Sequence, residues 1–480
     1  MSAIVIQDDY GGFDLTFIGV TLRFWPKSWD LFQKVSVLDR EPAEVVRLGN
    51  AALAGDPNEA FEVFSTGTVM LHELRHFHDF ILSPFGNQIL RLRMAAAVNG
   101  LHVLAQLKRS KTLVPVPIPK WRRMPKADQL AALEQWKLML DDMPPEPDFA
   151  FPGEVGMALE QAETAYAAVR NLVSARQDDT GIAYHPYHVM EASAIAAQAN
   201  NVYTVFGERH AELFLNRMLN SPEAADYALL MRAWYAMCQD QGVHVDLALF
   251  SAAVTWSLLG DYGKEGWSAC PTVRFARLFE LLMAEGLPDF DQPAIDLLGR
   301  WSEKLETPAI PDTFAQTQHS NRKLLAKLSD LYDDDDAAAL LPAFRSFIEM
   351  QEKMVALFQE NPDHYVRPDL YAEQCEKWVA APIRFDFPNM PLVGDREKLN
   401  RSLSVRVARE LDGDRLAVRR ALAPGQTLGE DVIVPEVAAT ASDTMTLIDF
   451  FFAEFRRDEP DFDVTRQVIA AQRMCAVELL

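Results

Sequence analysis

The chain has 480 residues, of which 49% are hydrophobic and 24% charged, and its formal net charge at pH 7 is -23. This composition is typical of a folded globular protein, and the length exceeds what one hydrophobic core usually organises. Because nucleic acids and anionic membranes are bound by basic surfaces, the acidic balance argues against both as partners.

The first predicted elements are strands. Residues 3–24 combine alternating and continuous apolar segments, interrupted by Gly11 and Gly12, which is typical of strands joined by a turn. After Pro26 the spacing changes, and up to about residue 360 apolar residues recur three and four positions apart. This spacing is typical of helices. We therefore predict a mainly α-helical protein with a small N-terminal β-sheet, an α+β fold.

Three proline-rich stretches, at 114–119, 143–147 and 307–311, interrupt the helical pattern. Proline cannot continue a helix, so these stretches are candidate boundaries. We predict three regions along the chain: an N-terminal sheet with a histidine-bearing helix, a helical central region, and a helical C-terminal region, over residues 1–115, 116–306 and 307–480.

The compartment is predicted from three absences in the sequence. The N-terminal apolar residues run directly into Asp8 and Asp9, which is unlike a secretory signal. The four cysteines are widely scattered without a Cys-x-x-Cys pair, which disfavours both disulfides and a thiolate metal site. The most apolar stretch, 247–259, is shorter than a bilayer span. We expect a cytoplasmic protein without a membrane anchor.

One predicted helix, over residues 65–82, contains the segment His72-Glu73-Leu74-Arg75-His76. His72 and His76 are four residues apart, about 40° of helix rotation, so both imidazoles project from one face. Glu73 projects beside them. Neutral imidazoles are ligands that zinc prefers, and a carboxylate next to a zinc-activated water can accept its proton. The sequence therefore predicts a zinc site on this helix.

This segment resembles the zincin metallopeptidases, whose motif is His-Glu-x-x-His. The resemblance covers these five residues and their helix. It implies a zincin-like helical catalytic core in which His72 and His76 hold zinc and Glu73 acts as general base. The implied reaction is hydrolysis of a peptide bond in a peptide or protein substrate.

A site of this kind needs a third protein ligand. In the gluzincin branch of the zincins it is a glutamate on a later helix, and we identify Glu191 as the best candidate. Its predicted helix begins at Pro186 and is rich in alanine and serine, so another helix can approach it closely. Asp79 is the alternative, because it lies only about 20° of helix rotation from His72. Otherwise Asp79 is expected to hold a histidine ring.

Four neighbouring residues receive weaker assignments. Tyr187 and His188 lie one turn before Glu191, so either one is a candidate hydrogen-bond donor to the oxyanion that develops during hydrolysis. His78 points away from His72 and is expected at the surface or behind the ligands. Arg75 is a candidate partner of Asp79 or of a substrate carboxylate, although a plain surface ion pair is the more common arrangement.

Two other classes of function also fit the sequence. A helical di-iron carboxylate oxygenase uses Glu-x-x-His units, which Glu73 with His76 resembles, and His188 with Glu191 offers a mirrored pair. That class needs further bridging carboxylates and has no natural place for His72. A non-catalytic interaction protein would account for the long helical remainder and would bind no metal. Metal content separates the three hypotheses.

Overall fold

The computed structural model of the protein describes the following residues: 11–14, 19–23, 31–32, 34, 42–95, 164, 168, 176–177, 183–222, 224–225, 227–260, 270–331, 340–375, 378–379, 381–386 and 404–408. The chain forms two compact units. The first consists of residues 1–88, 172–321 and 347–435, and the second of residues 89–171, 322–346 and 436–480. Both units are assembled from separated stretches of chain, and the predicted division into three consecutive regions stays a prediction.

Helices make up most of the described structure, which confirms the mainly α-helical prediction. None of them is both long enough and apolar enough to cross a membrane, as far as the described residues extend. In the described part of the chain, the helices whose bounds are fully defined are, in order, α1 Pro42–Ala54, α2 Pro57–Leu82, α3 Pro186–Phe206, α4 Glu208–Asn220, α5 Leu229–Gln241, α6 Leu247–Leu258, α7 Pro271–Glu285, α8 Ala294–Lys304, α9 Ile310–Leu331, α10 Leu340–Glu360, α11 Pro362–Val366 and α12 Pro368–Gln374.

The described strands form two small sheets. In the first, β1 (Gly11–Asp14) pairs antiparallel with β2 (Gly19–Arg23), β2 pairs parallel with β5 (Pro382–Asp386), and β5 pairs antiparallel with β6 (Ser404–Ala408). The second consists of β3 (Arg176–Gln177) and β4 (Ala183–Tyr184). Half of the first sheet comes from a distant part of the chain, so a self-contained N-terminal sheet stays a prediction.

Helix α2, called the motif helix below, carries the histidine motif. It begins earlier than predicted, because Asp56 caps it by accepting a hydrogen bond from the backbone N–H of Asn58, and Pro57 occupies its first turn. The expected start at Ser65 is therefore wrong: this residue lies two turns inside the helix. The end at Leu82 agrees with the prediction, since Ser83 is already extended.

The motif helix packs against α3, called the Glu191 helix below. The small residues predicted to allow a close approach are all buried on the Glu191 helix: Ala192, Ser193, Ala194, Ala196 and Ala197. Thr68 on the motif helix contacts Gln198, whereas Arg75 contacts Ser193. Residue numbers rise on one helix as they fall on the other, so the two helices run antiparallel along this interface.

A cluster of aromatic rings closes one end of this helix pair. Phe61 stacks on Phe214 with ring centroids 5.6 Å apart, and Phe64 packs on Phe206 at 4.9 Å. All four side chains are buried in one hydrophobic cluster. Burying a large apolar side chain stabilises a fold by about 1.5–3 kcal/mol, so this cluster fixes the spacing of the two helices that carry the candidate ligands.

Candidate metal centre

The structure brings together the three residues predicted as metal ligands. His72 and His76 project from one face of the motif helix, and Glu191 reaches them from the Glu191 helix. The two imidazole Nε2 atoms are 3.1 Å apart. One Glu191 oxygen lies 3.3 Å from Nε2 of His72, and the other lies 3.4 Å from Nε2 of His76. Each residue offers one ligand atom, and these three atoms all lie within 4.8 Å of one another.

These separations fit a small tetrahedral metal ion. Zinc binds imidazole nitrogen at about 2.0–2.1 Å and carboxylate oxygen at about 2.0–2.2 Å, so two ligand atoms at corners of a tetrahedron lie about 3.3–3.5 Å apart. The distance of 3.1 Å between the two Nε2 atoms is close to that edge, and so is the distance from each Nε2 atom to its nearer Glu191 oxygen, 3.3 Å for His72 and 3.4 Å for His76. The last two distances involve different oxygens of the carboxylate. Two histidines and one carboxylate also form a donor set used by catalytic zinc sites. Other divalent transition metals bind the same donors.

Glu191 and His76 shift each other's pKa. Burial favours the neutral form of Glu191, but the attraction of His76 and the close contacts with both imidazoles outweigh it and keep the pKa of Glu191 far below its ordinary value. Burial likewise opposes protonation of His76, and the Glu191 carboxylate raises the pKa of His76 above its ordinary value. Glu191 is therefore ionised at neutral pH, which is the form that binds a cation.

The group lies at the edge of the core. The side chains of His72 and Glu191 are each 15% exposed, while that of His76 is 7% exposed. Most of the surrounding side chains on the motif helix are buried. The site is therefore enclosed on the helix side, and His72 and Glu191 are its more exposed members.

Glu73 is buried on the motif helix next to His72, with 5% of its surface exposed. A carboxylate at this depth is shielded from bulk water, and it is one residue from one candidate ligand and three residues from the other. The role of Glu73 as general base stays a prediction.

Tyr187 and His188 have structural contacts at the start of the Glu191 helix. The Nδ1 atom of His188 accepts a hydrogen bond from the backbone N–H of His185 at 3.1 Å, which caps the helix. Tyr187 is 41% exposed, and its ring stacks on His185 with the centroids 5.0 Å apart. The structure does not bring either residue into the group of three candidate ligands, and their predicted contact with an oxyanion stays a prediction.

Arg75 pairs with Asp79, one of its two predicted partners, but the pair is buried, so the expectation of a surface ion pair is wrong. Its side chain is 1% exposed and pairs with Asp79 at 3.2 Å. The guanidinium also donates to the Ser193 hydroxyl at 2.8 Å and to the backbone carbonyl of Tyr365 at 2.7 Å. Sequence position on a helix cannot show these partners, because Tyr365 is 290 residues away along the chain.

Asp79, the alternative third ligand, is engaged in this network. Its Oδ1 atom accepts a hydrogen bond from the Tyr365 hydroxyl at 2.6 Å, and both carboxylate oxygens face Arg75. Among the described residues the candidate metal group contains Glu191 and does not contain Asp79. The geometry thus favours Glu191 as the third ligand and gives Asp79 the task of neutralising a buried arginine.

His78 is also buried, so of its two predicted positions, at the surface or behind the ligands, the first is wrong. Its Nε2 atom lies 2.8 Å from the Val379 carbonyl, and its Nδ1 atom lies 2.7 Å from the Tyr371 hydroxyl. A carbonyl can only accept, so Nε2 carries the proton and Nδ1 accepts from the tyrosine. Burial lowers the pKa of His78 to about 4, so the ring is neutral and anchors the motif helix.

Two residues beside the candidate ligands have no counterpart in the sequence-based assignments. The residues are Gln198 and Thr68. The amide oxygen of Gln198 lies 3.1 Å from Nδ1 of His72, and its amide nitrogen lies 2.9 Å from the Thr68 hydroxyl. One signal in the sequence points to Gln198. It follows Glu191 by seven residues, two helical turns, which places both side chains within about 20° on one helix face.

The chain was also compared with known proteins, because a family assignment would identify the metal and the reaction. No protein-family model, no curated protein and no solved structure matched it.

Proposed function

We propose that the protein is a zinc-dependent metallopeptidase of the zincin type, gluzincin-like, that hydrolyses a peptide bond in a peptide or protein substrate. The observation that carries this proposal is the convergence of His72, His76 and Glu191 at separations close to a tetrahedral edge. The proposal includes a cytoplasmic location and a zincin-like core that combines the helices with a small N-terminal sheet.

The proposed roles follow from the chemistry of each side chain. His72, His76 and Glu191 would hold the metal ion. A zinc ion there would supply Lewis-acid polarisation and lower the pKa of the attacking water. Glu73 accepts the proton of the attacking water and later delivers it to the leaving amine, so the carboxylate ends each cycle ionised.

Substrate binding is assigned to the exposed side of the site. Tyr187 or His188 donates a hydrogen bond to the oxygen anion that develops at the scissile carbonyl, and such donors often contribute a large share of transition-state stabilisation. Tyr187 is the better exposed of the two, which suits a group that meets substrate from solvent.

The di-metal alternative has less support. A second metal needs further carboxylates near the first, and the described residues contain one group of candidate ligands, formed by three side chains. Two nitrogen donors and one carboxylate suit a single ion. The non-catalytic alternative is an outcome of the experiment below.

The test begins with metal analysis of the purified protein. We expect about one zinc per chain in wild type, and loss of stoichiometric zinc from folded His72→Ala and His76→Ala variants. Iron in pairs would favour the oxygenase, and no metal in wild type would favour the interaction protein.

The catalytic step is tested with Glu73→Gln, which preserves shape but cannot accept a proton. Substrates are identified by comparing the proteins that are cleaved in cells expressing wild type with those cleaved in cells expressing Glu73→Gln. We expect the variant to retain zinc and to lose activity by about 10²–10⁴-fold, the usual contribution of general-base catalysis. Identical cleavage patterns from the two proteins would contradict the proposed function.

A further inference from the structure

A chain of hydrogen bonds leads from the backbone of the motif helix to the candidate metal centre. It runs from the Phe64 carbonyl through Thr68 and Gln198 to His72. In each link, the chemistry of the two atoms determines which one donates the hydrogen bond and which one accepts it.

The first link fixes the proton of Thr68. The threonine hydroxyl lies 2.6 Å from the Phe64 carbonyl oxygen, which can only accept. Thr68 therefore donates its one proton to Phe64. Towards any other neighbour, the Thr68 oxygen is an acceptor.

The second link fixes the orientation of the Gln198 amide. An amide has a donating nitrogen at one end and an accepting oxygen at the other. Its nitrogen faces two acceptors, the Thr68 oxygen at 2.9 Å and the Ser65 carbonyl at 3.4 Å. The amide oxygen consequently points to the other side, where it lies 3.1 Å from Nδ1 of His72.

The third link reaches the candidate ligand. An amide oxygen can only accept, so Nδ1 of His72 donates its proton to Gln198. The Nε2 atom of His72 is then available to bind a metal ion, and this is the atom that faces His76 and Glu191. In known metal sites, the partner of the non-ligating ring nitrogen orients the ring in the same way.

We propose that Gln198 is the positioning residue of the metal centre, and that it holds His72 in the tautomer and the ring orientation that direct Nε2 to the ion. The proposal rests on the metal site of the proposed function but is independent of the reaction. Because Gln198 is 6% exposed and on the same helix face as Glu191, one rigid element supplies both a ligand and the group that orients another ligand.

The test measures zinc affinity of metal-free protein by competition with a chelator. Gln198→Leu replaces the amide by an apolar side chain of similar size, so that Nδ1 of His72 loses its acceptor. This variant should bind zinc about 10–100-fold more weakly, the usual effect of losing such a partner. Gln198→Glu keeps an oxygen acceptor beside Nδ1 and should recover most of that affinity. Thr68→Val removes one of the two acceptors that orient the amide and should cause a smaller loss.

The matched control is Asn201→Leu. Asn201 is a buried amide on the same helix that does not belong to the hydrogen-bond chain, so its replacement should leave zinc affinity unchanged. A merely structural role of Gln198 predicts similar affinities for Gln198→Leu and Gln198→Glu, and that result would overturn the proposal. Equal affinities of wild type and Gln198→Leu would overturn it as well.

The outcomes also separate this inference from the proposed function. If zinc binding depends on Gln198 as expected but wild type and Glu73→Gln give the same cleavage patterns, the peptidase proposal fails and the positioning role stands. If zinc binds to wild type without any dependence on Gln198, the positioning role fails and the peptidase proposal stands. A wild type that binds no zinc refutes both.

Discussion

Replacing Tyr365 by phenylalanine removes a single hydroxyl from the buried network behind the candidate metal centre. This hydroxyl donates to Oδ1 of Asp79 over 2.6 Å. Burial above all, and then the Asp79 carboxylate, raise the pKa of Tyr365 well above its ordinary value, so the hydroxyl keeps its proton and acts as a donor. The ring itself remains in the variant and still packs on Arg75, whose guanidinium carbon lies 4.1 Å from the ring centroid.

The expected loss of stability follows from the negative charge of the acceptor, the Asp79 carboxylate. A hydrogen bond to a charged group contributes about 1.5–3 kcal/mol to stability, and a buried acceptor that loses its donor is not resolvated. Asp79 retains its ion pair with Arg75, so the larger cost of an uncompensated buried charge, about 3–5 kcal/mol, does not apply. We therefore expect Tyr365→Phe to lower the free energy of unfolding by about 1.5–3 kcal/mol.

The assay is urea unfolding of metal-free protein, monitored by tryptophan fluorescence, since Trp378 lies 5.2 Å from the Tyr365 ring between centroids. Tyr203→Phe serves as the control, because Tyr203 is 55% exposed and should lose little stability. Zinc binding should survive in Tyr365→Phe, since Asp79 is not among the candidate ligands. A Tyr365→Phe variant as stable as wild type would refute the assignment of Asp79 to the arginine network. Loss of zinc binding in that variant would refute it as well.

The remaining predictions concern the ligands themselves. Glu191→Ala should weaken zinc binding far more than Asp79→Asn, because the first removes a ligand and the second a residue behind the ligands; chelator competition measures both, and the reverse order would transfer the ligand role to Asp79. Zinc affinity should fall as the pH is lowered through the raised pKa of His76, because a proton then competes for Nε2, whereas Glu191, with its lowered pKa, stays ionised. Dissociation constants measured between about pH 8 and pH 5.5 check this, and a flat profile would contradict it.

The sequence carries much of the information needed for the candidate site. Helical spacing places His72 and His76 on one face, and this follows from the geometry of the helix alone. The small residues around Glu191 indicate a close helix contact, and their burial in the structure agrees with it. The break after Leu82 is equally local, because Ser83 and Pro84 end the motif helix with their own backbone preferences.

What the sequence could not show depends on partners that are distant along the chain. Charged or polar residues on a helix usually face solvent, so the helical pattern alone could not distinguish a buried position of His78 and Arg75 from one at the surface. Both are buried because residues 290 or more positions later satisfy them: the Tyr365 carbonyl for Arg75, and Tyr371 for His78. No periodicity within the motif helix contains that information.

Two other contacts between residues far apart in the chain explain how the fold holds the three candidate ligands together. Arg75 joins the motif helix to Ser193, and Thr68 joins it to Gln198, so the cross-links between the two helices lie on both sides of His72 along the motif helix. Attraction between histidine and carboxylate alone would hold the group weakly, since His72 and Glu191 are partly exposed. The two cross-links are polar and largely buried, where a lost partner costs about 1–3 kcal/mol, so they resist sliding of one helix along the other. The position of Glu191 over the two imidazoles is therefore a consequence of helix packing, and a metal ion would meet ligands that the fold has already aligned.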